Sequence, residues 1–282
     1  MLPAFILFIV FFVIVSFGNI ILSFTDFNGT FRQKVNFIGL ENYRLALFTT
    51  SGAAILSSIS VTVIFSLSVT LIQNFIAVVM AVFCNMKLRL RNFYRMIIFM
   101  PSILGVVTIG LAWTLVLDPY TGPVNKLYNL LGIDSAILGD PKKALFYVIF
   151  VMIWANYGYA MVLYLSGLQS IPLDLYEAGR VEGTNAITEF RYITLPLLWP
   201  VITINVLISI IGTLKSFDLI MVLTNGGPAD ATTTLAMYIF KNLNAAGVTQ
   251  GYVAALSVML FIIVAIVVAV TLFYMNRREV EM

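Results

Sequence analysis

The chain has 282 residues, of which 61% are hydrophobic and only 10% charged, with a mean hydropathy of +1.00. A soluble domain of this length carries about a quarter charged residues, so the composition places the chain in a membrane, and a formal net charge of +3 is too small to point to nucleic acid. The absence of histidine and the single cysteine, Cys84, exclude Ser-His and Cys-His catalysis, histidine zinc and haem sites, an internal disulfide and any multi-cysteine metal site.

Six apolar runs reach the roughly 20 residues that a bilayer crossing needs: 2–24, 59–83, 96–117, 144–168, 197–223 and 253–274. Lipid leaves no partner for an open backbone, so all six are expected as helices, in an all-α membrane protein with one transmembrane domain over 1–282. The first run has no basic flank and no small-residue cleavage site, which predicts a retained span rather than a signal peptide. An outer loop comes next, with Phe27-Asn28-Gly29 and the stretch Phe37–Tyr43; its Asn28-Gly29-Thr30 triplet fits a glycosylation acceptor, a pattern common by chance. The second run carries Ser66, Thr70, Gln73 and Asn74 and ends at Cys84, which reads as inert packing. The next loop holds Lys87, Arg89, Arg91 and Arg95 and no acid.

After the third run, Asp118-Pro119-Tyr120-Thr121-Gly122-Pro123 reads as a turn, and Val124–Leu131 as a short helix. The fourth run carries Trp154, Asn156, Tyr157, Tyr159 and Tyr164. The fifth carries Asn205, Ser209, Thr213 and Ser216, spaced by four, four and three on one helical face; Lys215 and Asp218, three apart, can pair. Gly226-Gly227-Pro228 stops that run. With six spans, the 87–95 loop, the loop at 169–196 and the tail with Arg277 and Arg278 share one side. They hold eight basic residues in about half the length over which the opposite loops spread seven, which predicts a cytoplasmic location for them and for both termini.

The most informative stretch lies in the 169–196 loop: Tyr176-Glu177-Ala178-Gly179-Arg180-Val181-Glu182-Gly183, then nine residues, then Ile193-Thr194-Leu195-Pro196. Pro172 suits a helix start. Glu177 and Arg180 can pair at i,i+3. Gly183 suits the left-handed residue that ends a helix, with Thr184 or Asn185 capping a second one. Gly179 and Gly183, four apart, would let another backbone come close. On helix physics alone this is an amphipathic helix–turn–helix between two spans.

The same stretch resembles the signature loop of the membrane subunits of bacterial binding-protein-dependent ABC importers, with Gly179 where that family more often has a second alanine. Thr25-Asp26-Phe27, Phe37–Tyr43, Asp118-Pro119 and Phe217-Asp218-Leu219-Ile220 leading to Gly226-Gly227-Pro228 resemble the sugar-transporting branch, more narrowly the first of two paired permeases of the maltose, glycerol-phosphate and oligosaccharide type. The resemblance implies a type I ABC importer permease core in the bacterial cytoplasmic membrane. It makes the loop a coupling helix, with Glu177, Ala178, Gly179, Arg180, Glu182 and Gly183 at the contact with an ATPase dimer. It also implies a second homologous permease, an extracytoplasmic sugar-binding protein, a sugar substrate and alternating access.

No Gly-Lys pair occurs anywhere in the chain, so a P-loop is missing. ATP and Mg are then expected on the partner ATPase, with no cofactor and no bond chemistry on this subunit. Polar side chains in spans are costly and mark either a path or a helix–helix contact. The expected substrate path uses Asn156, Tyr157, Tyr164, Asn205, Ser209, Thr213 and Ser216; packing between helices is the plainer reading of the serines and threonines. The alternative class is an ion-gradient-driven secondary transporter, which ionophore-sensitive uptake would reveal.

Overall fold

Prolines and a few Asp and Asn side chains mark where helices start and bend in a chain whose apolar content alone would continue them. The computed structural model describes residues 2–30, 34–86, 89–132, 137–243 and 245–276. Among these the chain is helical, with one isolated antiparallel bridge, Thr25 to Phe37, and no strand. Of the basic residues that orient the chain, Lys87, Arg277 and Arg278 lie outside the described residues.

In chain order the helices are α1 (Pro3–Leu22), α2 (Glu41–Phe48), α3 (Thr50–Asn85), α4 (Arg91–Phe99, prolonged by a 3-10 turn over Met100–Ile103), α5 (Val106–Val116) and α6 (Pro123–Leu130). The second half of the chain forms α7 (Pro141–Ser170), α8 (Leu173–Val181), α9 (Ala186–Leu214), α10 (Asp218–Thr224), α11 (Leu235–Leu243) and α12 (Gln250–Asn276). Five of them, α1, α3, α7, α9 and α12, are long and apolar enough to cross a membrane, and α4 with α5 makes a sixth if the bent pair is one span.

The third and fifth runs differ from the straight spans expected. The third is two helices set at 95°. Pro101 has no N–H to give, the helix tightens to 3-10 there, and Leu104 and Gly105 are extended. The fifth run begins eleven residues earlier than expected, at Ala186, and ends at Leu214. Phe217 leaves the helical region (φ −138°), and α10 starts afresh with Asp218, whose carboxylate accepts from the N–H of Leu219 at 2.9 Å. Lys215 and Asp218 form no ion pair with each other. The second run also starts early: α3 begins at Thr50, nine residues before the expected start at 59, and within it Ser60 and Thr62 return their hydroxyls to the carbonyls of Ser57 and Ser58. The short helix expected after the 118–123 turn is α6.

The chain forms two compact units, Met1–Thr62 with Thr233–Ile266, and Val63–Thr232 with Val267–Met282. In the first unit Asn42, 1% exposed, donates to the carbonyls of Ser23 and Thr25 at 2.8 and 2.9 Å and so closes the end of α1. The Asp26 carboxylate accepts from the side chain and backbone N–H of Asn36, which hold its pKa below the ordinary value. Ala46, Ile55, Leu235 and Leu256 form its core, and Thr62 Oγ1 accepts from the Leu235 N–H at 2.8 Å. No residue of α1 is buried.

In the second unit α3, α7 and α9 meet around Ala77, Ala81, Met161, Tyr164, Leu168 and Leu198. Arg95 Nη2 donates to the Cys84 carbonyl at 2.9 Å, a cation at the end of α3; Cys84 is buried and free, as its packing role requires. Against α7, the Ser102 hydroxyl accepts from the Tyr159 N–H at 3.1 Å and donates to the Ala155 carbonyl at 2.9 Å, so it bridges one rung of the helix. Gly158 permits this approach, since a Cβ there would run into the Ile98 carbonyl. At 118–122 the Asp118 carboxylate accepts from the Thr121 N–H, the Thr121 hydroxyl and the Tyr120 N–H at 2.6, 2.9 and 3.0 Å, which lowers its pKa.

Candidate functional site

The loop that carries the sequence signature is a helix, a tight reversal and a second helix. Pro172 precedes α8 and Asp174 lies in its first turn. The helix ends as glycine-closed helices do: Gly183 has φ +83°, its N–H donates to the Arg180 carbonyl at 3.1 Å, and the Thr184 N–H reaches the Gly179 carbonyl at 3.0 Å. Asn185 caps α9, its Oδ1 accepting from the Thr188 N–H at 2.9 Å.

From there α9 runs into the membrane span without a break, through a π-helical turn at Phe190–Thr194. The loop's second helix and the span expected from 197 are therefore one helix. The loop is tied to the span it precedes: Tyr176 Oη and Thr194 Oγ1 are 2.9 Å apart, and Arg180 Nε donates to Glu189 Oε1 at 3.0 Å. This ion pair replaces the expected Glu177–Arg180 pair. The hydrogen bond and charge of Glu189, with a smaller contribution from Glu177, raise the pKa of Arg180. Spacing along one helix could not reveal Glu189, because a turn separates it from Arg180.

Glu177, Ala178, Arg180, Glu182 and Gly183 are exposed, and Gly179 is buried. No backbone comes close at either glycine. A Cβ on Gly179 would meet side-chain atoms of Ile193 and Thr184 at 3.0 Å, and one on Gly183 would meet nothing within 4 Å, so Gly183 answers to its positive φ alone. Two apolar side chains flank the reversal in the open, Val181 at 90% exposure and Ile187 at 79%. Behind α8, a recess of about 510 Å³ opens between Val82 and Met86 at the end of α3 and Tyr176, Glu177, Arg180 and Phe190.

The candidate path residues divide. Tyr164, Ser209 and Thr213 join Ser66, Gln73 and Asn74 in one buried network. Tyr164 Oη donates to Asn74 Oδ1 at 2.6 Å, Asn74 and Gln73 donate to Ser209 Oγ at 3.2 and 3.3 Å, and Ser66 Oγ lies 2.7 Å from Thr213 Oγ1. Asn205 is 2% exposed and its Nδ2 finds no partner among the described residues. Ser216 is buried. Asn156 donates back to the Met152 carbonyl at 2.9 Å, and Tyr157 is half-buried beside it; neither joins the network.

Residues 73–279 match the family described as binding-protein-dependent transport system inner membrane component. The chain belongs to that family. Among curated members, a probable ABC transporter permease protein of Pyrococcus horikoshii is 31% identical over 99% of this chain and 95% of its own. The trehalose/maltose transport system permease protein MalF of Thermococcus litoralis is 33% identical over 83% of this chain and 78% of its own.

Two crystal structures share the fold. One is a bacterial ABC transporter involved in the import of the acidic polysaccharide alginate (TM-score 0.83, 22% identity, 98% of this chain and 93% of that chain). The other is a bacterial alginate ABC transporter in complex with an alginate pentasaccharide-bound periplasmic protein (TM-score 0.78, 23% identity, 98% and 91%). The fold of this permease-family chain is thus that of an ABC importer's membrane subunit.

Proposed function

We propose that this permease is one of two membrane-spanning subunits of an ATP-driven importer for a sugar or oligosaccharide. An extracytoplasmic binding protein delivers the cargo, and a separate ATPase dimer holds ATP and Mg. The sugar class rests on the curated relatives and on the alginate importers that share the fold. The observation that carries the coupling role is the exposed reversal between α8 and α9, with Val181 and Ile187 at its tip.

An ATPase that seats this tip gains apolar contact, with Glu177, Arg180 and Glu182 around it. Because α9 is continuous from Ala186 to Leu214, a push on the tip travels into the span, and the Arg180–Glu189 and Tyr176–Thr194 links move α8 with it. The loop and both termini lie in the cytoplasm on this reading. On this reading the cargo passes Asn156, Tyr157, Asn205 and Ser216, while Tyr164, Ser209 and Thr213 hold the packed network behind the path. The unpartnered amide of Asn205 is a ready donor for a sugar hydroxyl once the path opens, since a buried donor without an acceptor costs about 1–3 kcal/mol.

The test is co-purification from gently solubilised membranes with a C-terminal tag, for wild type, Gly183→Asp and Val181→Glu. Asp tolerates the left-handed conformation better than most side chains, and neither position is packed, so both variants keep the fold. Wild type is expected to bring down an ATPase and a second permease; both variants keep the permease and lose the ATPase. Recovery of this chain alone, with uptake that an ionophore collapses, overturns the proposal in favour of an ion-driven transporter.

A further inference from the structure

The turn from α3 into α4 carries cations that have no ion-pair partner among the described residues. No aspartate or glutamate occurs between Glu41 and Asp118. Arg89 and Arg91 are exposed, and neither is in an ion pair among the described residues. Arg95 differs, being turned inward to the Cys84 carbonyl. Arg89, Leu90, Arg91, Asn92 and Phe93 enclose a shallow recess of about 240 Å³.

Beyond the turn, α4 is apolar and open: Phe93, Met96, Ile97 and Met100 are all exposed. Tyr94 meets Phe83 edge-on at 5.8 Å and Phe93 at 6.4 Å, a small aromatic belt of the kind found at headgroup depth. Guanidinium groups at the polar end, aromatics next and bare aliphatic side chains beyond match the order of a phospholipid read from phosphate to acyl chain.

We propose that Arg89 and Arg91 hold the headgroup phosphate of an anionic phospholipid at the α3–α4 turn, with its acyl chains along the exposed face of α4. Planar guanidinium groups bind phosphate through paired N–H donors. An unopposed positive charge next to an anionic leaflet is favourable within a Debye length of the surface. The proposal concerns the membrane and not the cargo, so it stands apart from the transport reading.

The experiment uses the transporter with its co-purifying subunits, reconstituted in phosphatidylcholine bilayers that contain spin-labelled phosphatidylglycerol. The motionally restricted fraction gives the preference for phosphatidylglycerol over spin-labelled phosphatidylcholine. Wild type is expected to prefer phosphatidylglycerol. Arg89→Gln and Arg91→Gln each lower that preference by about fivefold, the value of one basic residue near an anionic surface. The doubly charge-conserving variant with Arg89→Lys and Arg91→Lys keeps most of it, and Lys142→Gln leaves it unchanged. Size-exclusion profiles check that each variant remains assembled. An unchanged preference in the double glutamine variant overturns the proposal. So does loss of a protein subunit from either variant while the lipid preference holds, which would assign the arginines to an acidic protein face.

Discussion

Tyr164 is fully buried, and its hydroxyl ends on the amide oxygen of Asn74 at 2.6 Å. That leaves the Asn74 nitrogen to serve both the Thr70 carbonyl and Ser209. Each polar atom in this chain of contacts orients the next, which is how a buried network specifies one packing. Tyr164→Phe keeps the ring's volume and removes the donor. It is expected to destabilise by about 0.6–1.7 kcal/mol, the span of hydrogen bonds measured between membrane helices. Asn74→Ala combined with it should cost less than the sum of the two single losses, because the shared bond is already gone, although the Asn74 bonds to the Thr70 carbonyl and Ser209 are still lost. A double-mutant cycle on unfolding of the purified protein checks this. If the two losses simply add, the hydroxyl and the amide are not coupled.

At the scale of the element, the end of α8 is set by one dihedral angle. Gly183→Val introduces a β-branched side chain at φ +83° with empty space around it. The cost is therefore conformational, at least the roughly 1–2 kcal/mol of an L residue in the left-handed region. It is expected as faster hydrogen exchange at the amides of Gly183 and Thr184, whose bonds close the helix, with the α7 core unchanged.

This reversal was legible in the sequence because glycine at a helix end and an Asn cap act locally. The partner of Arg180 was not, since Glu189 is brought near only by the turn itself. Nor was the 95° bend between α4 and α5. Hydropathy is blind to direction, and the run from Met96 to Leu117 stays apolar straight through Pro101 and Gly105. The break at Lys215–Phe217 left a trace in the charged pair Lys215 and Asp218, which reads equally well as an ion pair.

At the scale of the whole molecule, the family follows from composition and one loop, whereas the assignment of polar residues to a path or to packing does not. Ser209 accepts from Asn74 and Gln73, and Ser66 and Thr213 satisfy each other, which is the packing reading. Asn205 does not, and side-chain type alone gave no means of separating them. The number of polar residues per span was visible; which of them face each other depends on helix rotation, which a nearly uniform apolar sequence does not encode.

The bend between α4 and α5 has a consequence for the bilayer itself. The 11 residues of α5 and the 7 of α10 amount to roughly 16 and 10 Å of helix at 1.5 Å per residue, against a hydrocarbon layer about 30 Å thick. They pack on one another, with Thr114 Oγ1 3.5 Å from the Val222 carbonyl, as segments too short to span must. A straight rod answers a thicker membrane by tilting less; a segment at 95° to its neighbour has no such adjustment, and the mismatch falls on the joint at Leu104–Gly105. Uptake by the reconstituted transporter is therefore expected to pass through a maximum as acyl chains lengthen from 14 to about 22 carbons. A flat response would mean that protein neighbours shield these short helices from the lipid completely.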